Sequence, residues 1–321
     1  MSVVSLRSNL FGALAATGAM AFFSVTDVTI KFLSGDYPLH EIVLFRSFIG
    51  FLTILIFFLP FVGGFSVFRT KRLGMHLFRG MCVVLANLFF FLGLAVLPLA
   101  EAVAIFFISP LLITVLSIIF LGERVGPRRW LAIFAGLIGV MMIVRPGTES
   151  FQIASVLPML AAFCYAMLSI LTRHIGGTES AVTMTLYIQI SFVLVSVLMG
   201  LFLGGGQMDS DLHPSLSFLL REWHLPQAWE YWLFLAIGVS NAIAGFLISF
   251  AYRHGEATFV APFEYVAMPI SILWGVVVFG EHPDMIGFAG IALIMASGLF
   301  MVYRDIQTSQ QKIAKRPRFR R

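Results

Sequence analysis

Ten apolar stretches fill this chain, each long enough to cross a bilayer, and the last five echo the first five. A span needs about 20 apolar residues as helix, because lipid offers nothing to an exposed backbone N–H or C=O and only a helix or a closed barrel satisfies them internally. The spans predicted from the sequence are 9–33, 39–61, 73–97, 99–121, 128–144, 152–173, 181–203, 230–251, 257–279 and 285–303. The expected fold class is an all-α integral membrane protein, with ten transmembrane helices as two inverted five-helix repeats around a central cavity. Charged residues are 12% of the chain, half the share of about 25% in a soluble domain. Cys82 and Cys164 both fall inside spans and read as small apolar residues, with neither a disulfide framework nor metal spacing.

Ten spans put both ends on one side. With the termini in the cytoplasm, 17 of the 21 Lys and Arg residues fall inside: Arg7; Arg69, Lys71, Arg72 and Arg79; Arg124, Arg128 and Arg129; Arg173; Arg253; and seven in the tail. Only Arg145 and Arg221 fall outside, while Lys31 and Arg46 lie within or at the ends of spans. This is the positive-inside pattern of a multi-pass protein of a bacterial-type inner membrane. It also accounts for the net charge of +5 without nucleic acid, since the basic residues are sorted by side rather than gathered on one face. The run from Leu10 to Leu33 exceeds a signal-peptide core, so the first span is expected to be retained. Residues 304–321 are expected to form a basic cytoplasmic tail touching anionic lipid. The long outer connection 204–229 carries Trp223 and Trp229. It is expected to be amphipathic at the interface, with a lid over an outward opening as the functional alternative.

Residues 9–145 and 152–303 are the two repeats. Ala100-Glu101-Ala102 and Gly255-Glu256-Ala257 open spans 4 and 9, Pro110 and Pro269 interrupt them, and Gly122-Glu123 and Gly280-Glu281 close them. An odd number of spans per half inverts the second half, and inverted repeats with helices interrupted at matching places are a transporter design. Pro110 and Pro269 are expected to kink their helices and serve as hinges for the rocking halves. Ala132, Gly136, Gly139, Gly287 and Gly290 give spans 5 and 10 small-residue faces, which read as scaffold or as a dimer face.

The five-plus-five layout, Arg46 in span 2, the matched prolines and the two Gly-Glu pairs together resemble the drug/metabolite transporter superfamily, in its EamA-like ten-helix branch. The resemblance covers nearly all of 9–303. It implies a basket with spans 1, 3, 4, 6, 8 and 9 around a central cavity, and secondary transport of small organic solutes, commonly amino acids or other metabolites. One departure is that span 7 has no arginine matching Arg46; Gln189 lies nearby.

Ionisable residues inside spans cost about 2.5–3.5 kcal/mol each, so each needs a reason. Asp27 and Lys31, four apart on span 1, share a helix face and Arg46 can join them; the cluster reads as a substrate or proton site, or as a self-neutralising network. Glu264, between Pro262 and Pro269 on span 9, has no cation nearby in sequence. It reads as a proton-coupling or cation-binding carboxylate, the alternative being pairing with Arg253 or Lys31. Asn87 and Asn241 on spans 3 and 8 are substrate contacts or helix glue. Tyr165, Tyr265 and Trp274 offer aromatic walls for a planar solute, and Ser109 faces the cavity or refills the bond freed by Pro110. Glu101 and Glu256 complement the dipoles of helices they begin. Glu123 and Glu281 end theirs, as packing residues with loop partners or as gate charges.

No phosphate-cradling loop, His-Glu-x-x-His or Gly-x-Ser-x-Gly occurs, and no cofactor is implied. A channel would need a continuous polar pore, for which the polar residues are too sparse. The sequence thus reads as a carrier, not an enzyme, acting on a small-molecule substrate as a monomer or homodimer, with protons as the candidate coupling ion. Its leading reading is export or exchange of amino acids and their relatives. Uptake of a vitamin-like or nucleoside-like solute such as riboflavin or S-adenosylmethionine stands second. A non-transporting membrane receptor or assembly factor is the alternative of another class.

Overall fold

The computed structural model describes residues 3–58, 69–122, 126–148, 152–175, 181–206, 214–254 and 261–314. Among these every regular element is helical. The first half comprises α1 (Val3–Leu33), α2 (Leu39–Thr53, continued by a π segment Ile54–Phe58), α3 (Leu73–Leu94), the pair α4 (Leu99–Phe106) and α5 (Ser109–Leu121), and α6 (Pro127–Val144). The second comprises α7 (Val156–Ile175), α8 (Ala181–Leu203), a short surface helix α9 (Pro214–Leu220) and α10 (Tyr231–His254). A 3-10 segment Ala261–Val266 follows, running into α11 (Ala267–Trp274) and a π segment Gly275–Phe279, and α12 (Met285–Ala314) is the last described helix.

Seven of the described helical stretches are long and apolar enough to cross a membrane, and three shorter apolar ones, Trp130–Val144, Phe263–Phe279 and Met285–Phe300, occupy predicted spans 5, 9 and 10. The count of ten therefore still rests on the sequence. Helix α12 runs on to Ala314, so the first part of the expected tail is helical.

The packing follows the repeat. Helix α1 lies along α10, and α3 along α7; α2 packs on α8, and α6 on α12; α1 also meets span 9, as α5 meets α7. Replacing each span by the one five places on maps these pairs onto themselves, and each pair joins one half to the other. The halves interlock instead of forming two separate lobes. At the crossing of α6 and α12 the backbones touch. A Cβ on Gly139 would lie 2.9 Å from the Gly290 carbonyl oxygen, and one on Gly290 would lie 2.8 Å from that of Gly139. Small residues there permit the close approach that drives helix association in lipid.

The breaks in spans 4 and 9 also match. Helix α4 ends at Phe106, and Pro110 stands in the first turn of α5, where a missing N–H costs nothing. Pro269 stands in the first turn of α11. The distortion thus precedes each proline. Both spans close on a left-handed glycine, Gly122 at φ 65° and Gly280 at φ 66°, a conformation costly to any residue with a Cβ.

Gly290→Val is expected to force α6 and α12 apart and destabilise the protein by about 1–3 kcal/mol, seen as a lowered melting temperature of the detergent-solubilised protein; an unchanged midpoint would refute the close crossing.

Candidate functional site

The broken helices gather an aromatic and acidic cluster. Where α4 gives way to α5, Phe106 meets the Tyr165 ring of α7 at 5.4 Å between centroids, and Phe107 meets Tyr265 at 5.3 Å. Glu264 stands within electrostatic reach of both tyrosines and is half-buried. Tyr165, 38% exposed, presents accessible surface despite its place in an apolar helix. Tyr265 does not. It is 4% exposed and its hydroxyl fills the space a Cβ on Gly298 of α12 would occupy, so it packs span 9 on span 10, and the expected aromatic wall loses that residue. Further along span 9, Trp274 donates its indole N–H to the Ser24 hydroxyl of α1 at 3.3 Å. Ser109 is buried at the start of α5.

A second group surrounds Arg46. Its Nη2 donates to Asn87 Oδ1 at 2.9 Å, and its guanidinium lies 5.7 Å from the Phe91 ring centre and 5.0 Å from that of Phe192. Asp27, half-buried on α1, is its electrostatic counterpart. A guanidinium held between aromatic faces and an amide is satisfied by stacking as well as by charge, and this fixes α2 against α3 and α8. Asn87 therefore anchors Arg46. In the other half Gln189 fills the notch of Gly50, its Nε2 2.6 Å from where a Cβ would stand, with Asn241 Nδ2 3.9 Å from the same point. An amide there replaces the guanidinium of the first half.

Lys31 departs from its expected place. Instead of turning to Asp27 it forms an ion pair with Glu281 Oε1 at 2.5 Å, donates to the Leu97 carbonyl oxygen at 2.7 Å, and lies 4.9 Å from the Phe279 ring centre. Glu281 Oε2 accepts the N–H of Leu99, the first residue of α4, at 2.8 Å. One carboxylate thus neutralises the lysine and caps a helix N-terminus, where negative charge is favoured. This node ties the end of span 1, the turn before span 4 and the end of span 9 at one end of the bundle. Arg145 and Asp284 pair nearby, joining the ends of α6 and α12. The Arg145 hydrogen bond and then the Gly287 N–H hold the Asp284 carboxyl below its ordinary range, so the pair is charged at neutral pH. Glu123 and Glu256 lie outside the described residues.

The sequence reading missed several polar anchors. Arg79, counted with the inner loops, is buried within α3 and donates from Nε to Thr172 Oγ1 at 3.0 Å. Tyr37 donates its hydroxyl to Glu230, which also accepts the Gln227 N–H at 2.7 Å. Over the same end of the bundle, α9 tucks Phe218 inward and Ser215 donates to the Leu92 carbonyl oxygen at 2.8 Å, while Arg221 donates to that of Ser34 at 3.1 Å. Apart from Gln227 and Glu230, no local spacing signals these pairs, because their members lie 93 or more residues apart in the chain. Among the described residues no three His, Cys, Asp or Glu side chains are grouped to hold a metal ion.

Interlocked inverted halves, two broken spans meeting in an aromatic and acidic cluster, and apolar helices throughout define a multi-pass membrane carrier. The EamA-like transporter family matches over residues 10–145 and 152–303, and the chain belongs to that family. It is 28% identical to a riboflavin transporter of Vibrio cholerae, over 94% of this chain and 96% of that protein. It is 27% identical to an S-adenosylmethionine uptake transporter of Rickettsia bellii, over 90% and 91%. It is 31% identical to the pseudopaline exporter CntI of Pseudomonas aeruginosa, over 89% and 94%. A solved crystal structure with 19% identity superposes with a TM-score of 0.63 over 92% of this chain and 98% of the other, which shows the shared fold. The protein is a transporter, not an enzyme.

Glu281→Gln and Lys31→Met are each expected to lower stability, and the double variant to lose less than their sum. A coupling of about 1–3 kcal/mol, between the surface and fully buried limits, is expected from an unfolding double-mutant cycle; strictly additive losses would mean that the pair holds nothing together.

Proposed function

We propose that the protein takes up a vitamin-like or nucleoside-like organic solute across the inner membrane by alternating access, with both termini cytoplasmic. The observation that carries this reading is full-length similarity to transporters named for riboflavin and for S-adenosylmethionine uptake. Both names denote molecules with a flat heteroaromatic ring. The amino-acid reading reached from the sequence yields to it.

The residues fit such a cargo. Tyr165 and Phe106 offer ring faces to a planar solute. Glu264 and Asp27 supply negative charge in an apolar setting, where each can take a proton or meet a cationic group. Asn241 is the remaining polar anchor, while Arg46 and Asn87 hold the wall behind it. The Lys31–Glu281 node is the outer gate: its ionic bonds close one end of the pathway and must part to admit solute. The matched breaks before Pro110 and Pro269 are the flexing points, in two repeat domains of 9–145 and 152–303. The carrier works as a monomer or homodimer, surrounded by lipid, with protons as its coupling ion.

In proteoliposomes with an imposed pH gradient, saturable flux of riboflavin or S-adenosylmethionine is expected, with none of a labelled amino-acid panel. Glu264→Gln is expected to remove most of the gradient-driven component while leaving counterflow of the same solute. Amino-acid flux alone would restore the other substrate class, and gradient-indifferent flux would return Glu264 to a structural role.

A further inference from the structure

Glu101 stands half-buried in the first turn of α4. Its charged neighbours are Arg145, Asp284, Glu281 and Lys31, yet among the described residues it makes neither a hydrogen bond nor an ion pair. A Cβ on Gly287 would lie 2.9 Å from Asp284 Oδ1, 3.8 Å from Glu101 Oε1 and 4.0 Å from Arg145 Nη2. Three charged groups thus border the space that one bare glycine leaves.

The two ion pairs beside it, Lys31–Glu281 and Arg145–Asp284, each join region 10–145 to region 152–303. Both cations come from the first region and both of their acids from the second. Glu101 belongs to the first. Each cation has two acidic neighbours among the described residues: Glu281 and Glu101 for Lys31, Asp284 and Glu101 for Arg145. With three carboxylates to two cations, Glu101 is the surplus charge, and it stands beside the like charges of Asp284 and Glu281. A half-buried surplus carboxylate is costly in this arrangement and calls for another in which it is used.

The unequal burial of the pairs says which arrangement that is. The Lys31 side chain is 10% exposed, and taking the partner from a buried charge is strongly unfavourable. Arg145 holds φ 48°, the one left-handed residue other than glycine among the described residues, a strained backbone kept only where its surroundings demand it. The side chains of Glu281 and Asp284 are 25% and 52% exposed, so water can meet them. If the ends of spans 9 and 10 draw away, both cations stay behind with the first region, and Glu101 stays with them.

We infer that Glu101 is the exchange partner of this network, a positioning residue for transport. When this end of the bundle opens, Lys31 and Arg145 pass from Glu281 and Asp284 to Glu101. Ion pairs between the halves are traded for ion pairs within the first half, and neither cation is left bare. The exchange rests on the Lys31–Glu281 node being a gate, as proposed above, and not on which solute is carried.

Melting midpoints of the full chain in nanodiscs test it without any solute. Glu101→Gln alone is expected to leave the midpoint unchanged or raise it, since it relieves like-charge repulsion and breaks no pair. In Glu281→Gln, and separately in Asp284→Asn, the same change is expected to lower the midpoint by about 4 °C or more, because Glu101 is then the carboxylate left to a cation. Adding Lys31→Met to the Glu281→Gln series should erase that loss. Asp284→Asn, at the more exposed pair, keeps the test available if Glu281→Gln does not fold. Nitroxides at Gly35→Cys and Met285→Cys, both exposed positions, in a Cys82→Ala, Cys164→Ala background report the spacing between the ends of spans 1 and 10 by electron paramagnetic resonance. That spacing is expected to lengthen in Glu281→Gln and in Asp284→Asn. Equal effects of Glu101→Gln in every background would overturn the exchange, leaving the gate standing where the spacing still lengthens. A spacing unchanged in both variants would overturn the gate and the exchange with it.

Discussion

A helix interrupted inside lipid frees backbone groups that water cannot reach, and the rest of this structure is arranged around two such interruptions. At each, the chain restarts at once: Pro110 opens α5 where no N–H is needed, and the 3-10 turns of Ala261–Val266 lead straight into α11. Packing covers what remains. Phe107 lies against Tyr265, and Tyr265 lies against the bare backbone of Gly298. The breaks are tolerable because neighbouring helices approach closely enough to shield them, and that closeness depends on glycine.

The same breaks take side chains out of regular helical rows. An unbroken helix presents side chains in fixed rows, whereas here Phe106 meets Tyr165 of α7 and Phe107 meets Tyr265. The polar residues then divide by task. Arg46, Asn87, Arg79 and Gln189 bind helix to helix. Lys31 and Glu281 tie three span ends together. Asp27 and Glu264 stand half-buried, and Tyr165 is partly exposed.

Much of the fold was legible because apolar length and repeat spacing are local signals. The Gly-Glu pairs at 122–123 and 280–281 marked span ends, and both glycines adopt the left-handed turn. The site was less legible for three physical reasons. Lys31 was read with Asp27 because four-residue spacing is visible in sequence, while its partner lies 250 residues away. Tyr265 was offered as an aromatic wall on its residue type, yet it sits in a 3-10 turn with its hydroxyl against Gly298. Arg79 was counted as a loop charge because an apolar window tolerates one cation, and the structure buries it in α3 with its Nε on Thr172. The apolar stretches in spans 5, 9 and 10 are shorter than the other seven among the described residues, so the count of ten rests on charge sorting in the sequence.

The cross-pairing of spans bears on how the protein is made. Helix α1 leaves the ribosome long before α10, its main neighbour, and Lys31 waits for Glu281 until nearly the whole chain has been synthesised. The first five spans therefore enter the membrane as a set of helices without their lasting partners, and the second five act as the template that assembles them. Biogenesis of this fold is a late, concerted event rather than the stacking of a finished first half on a growing second, so damage to the last spans is felt first by the packing of the earliest.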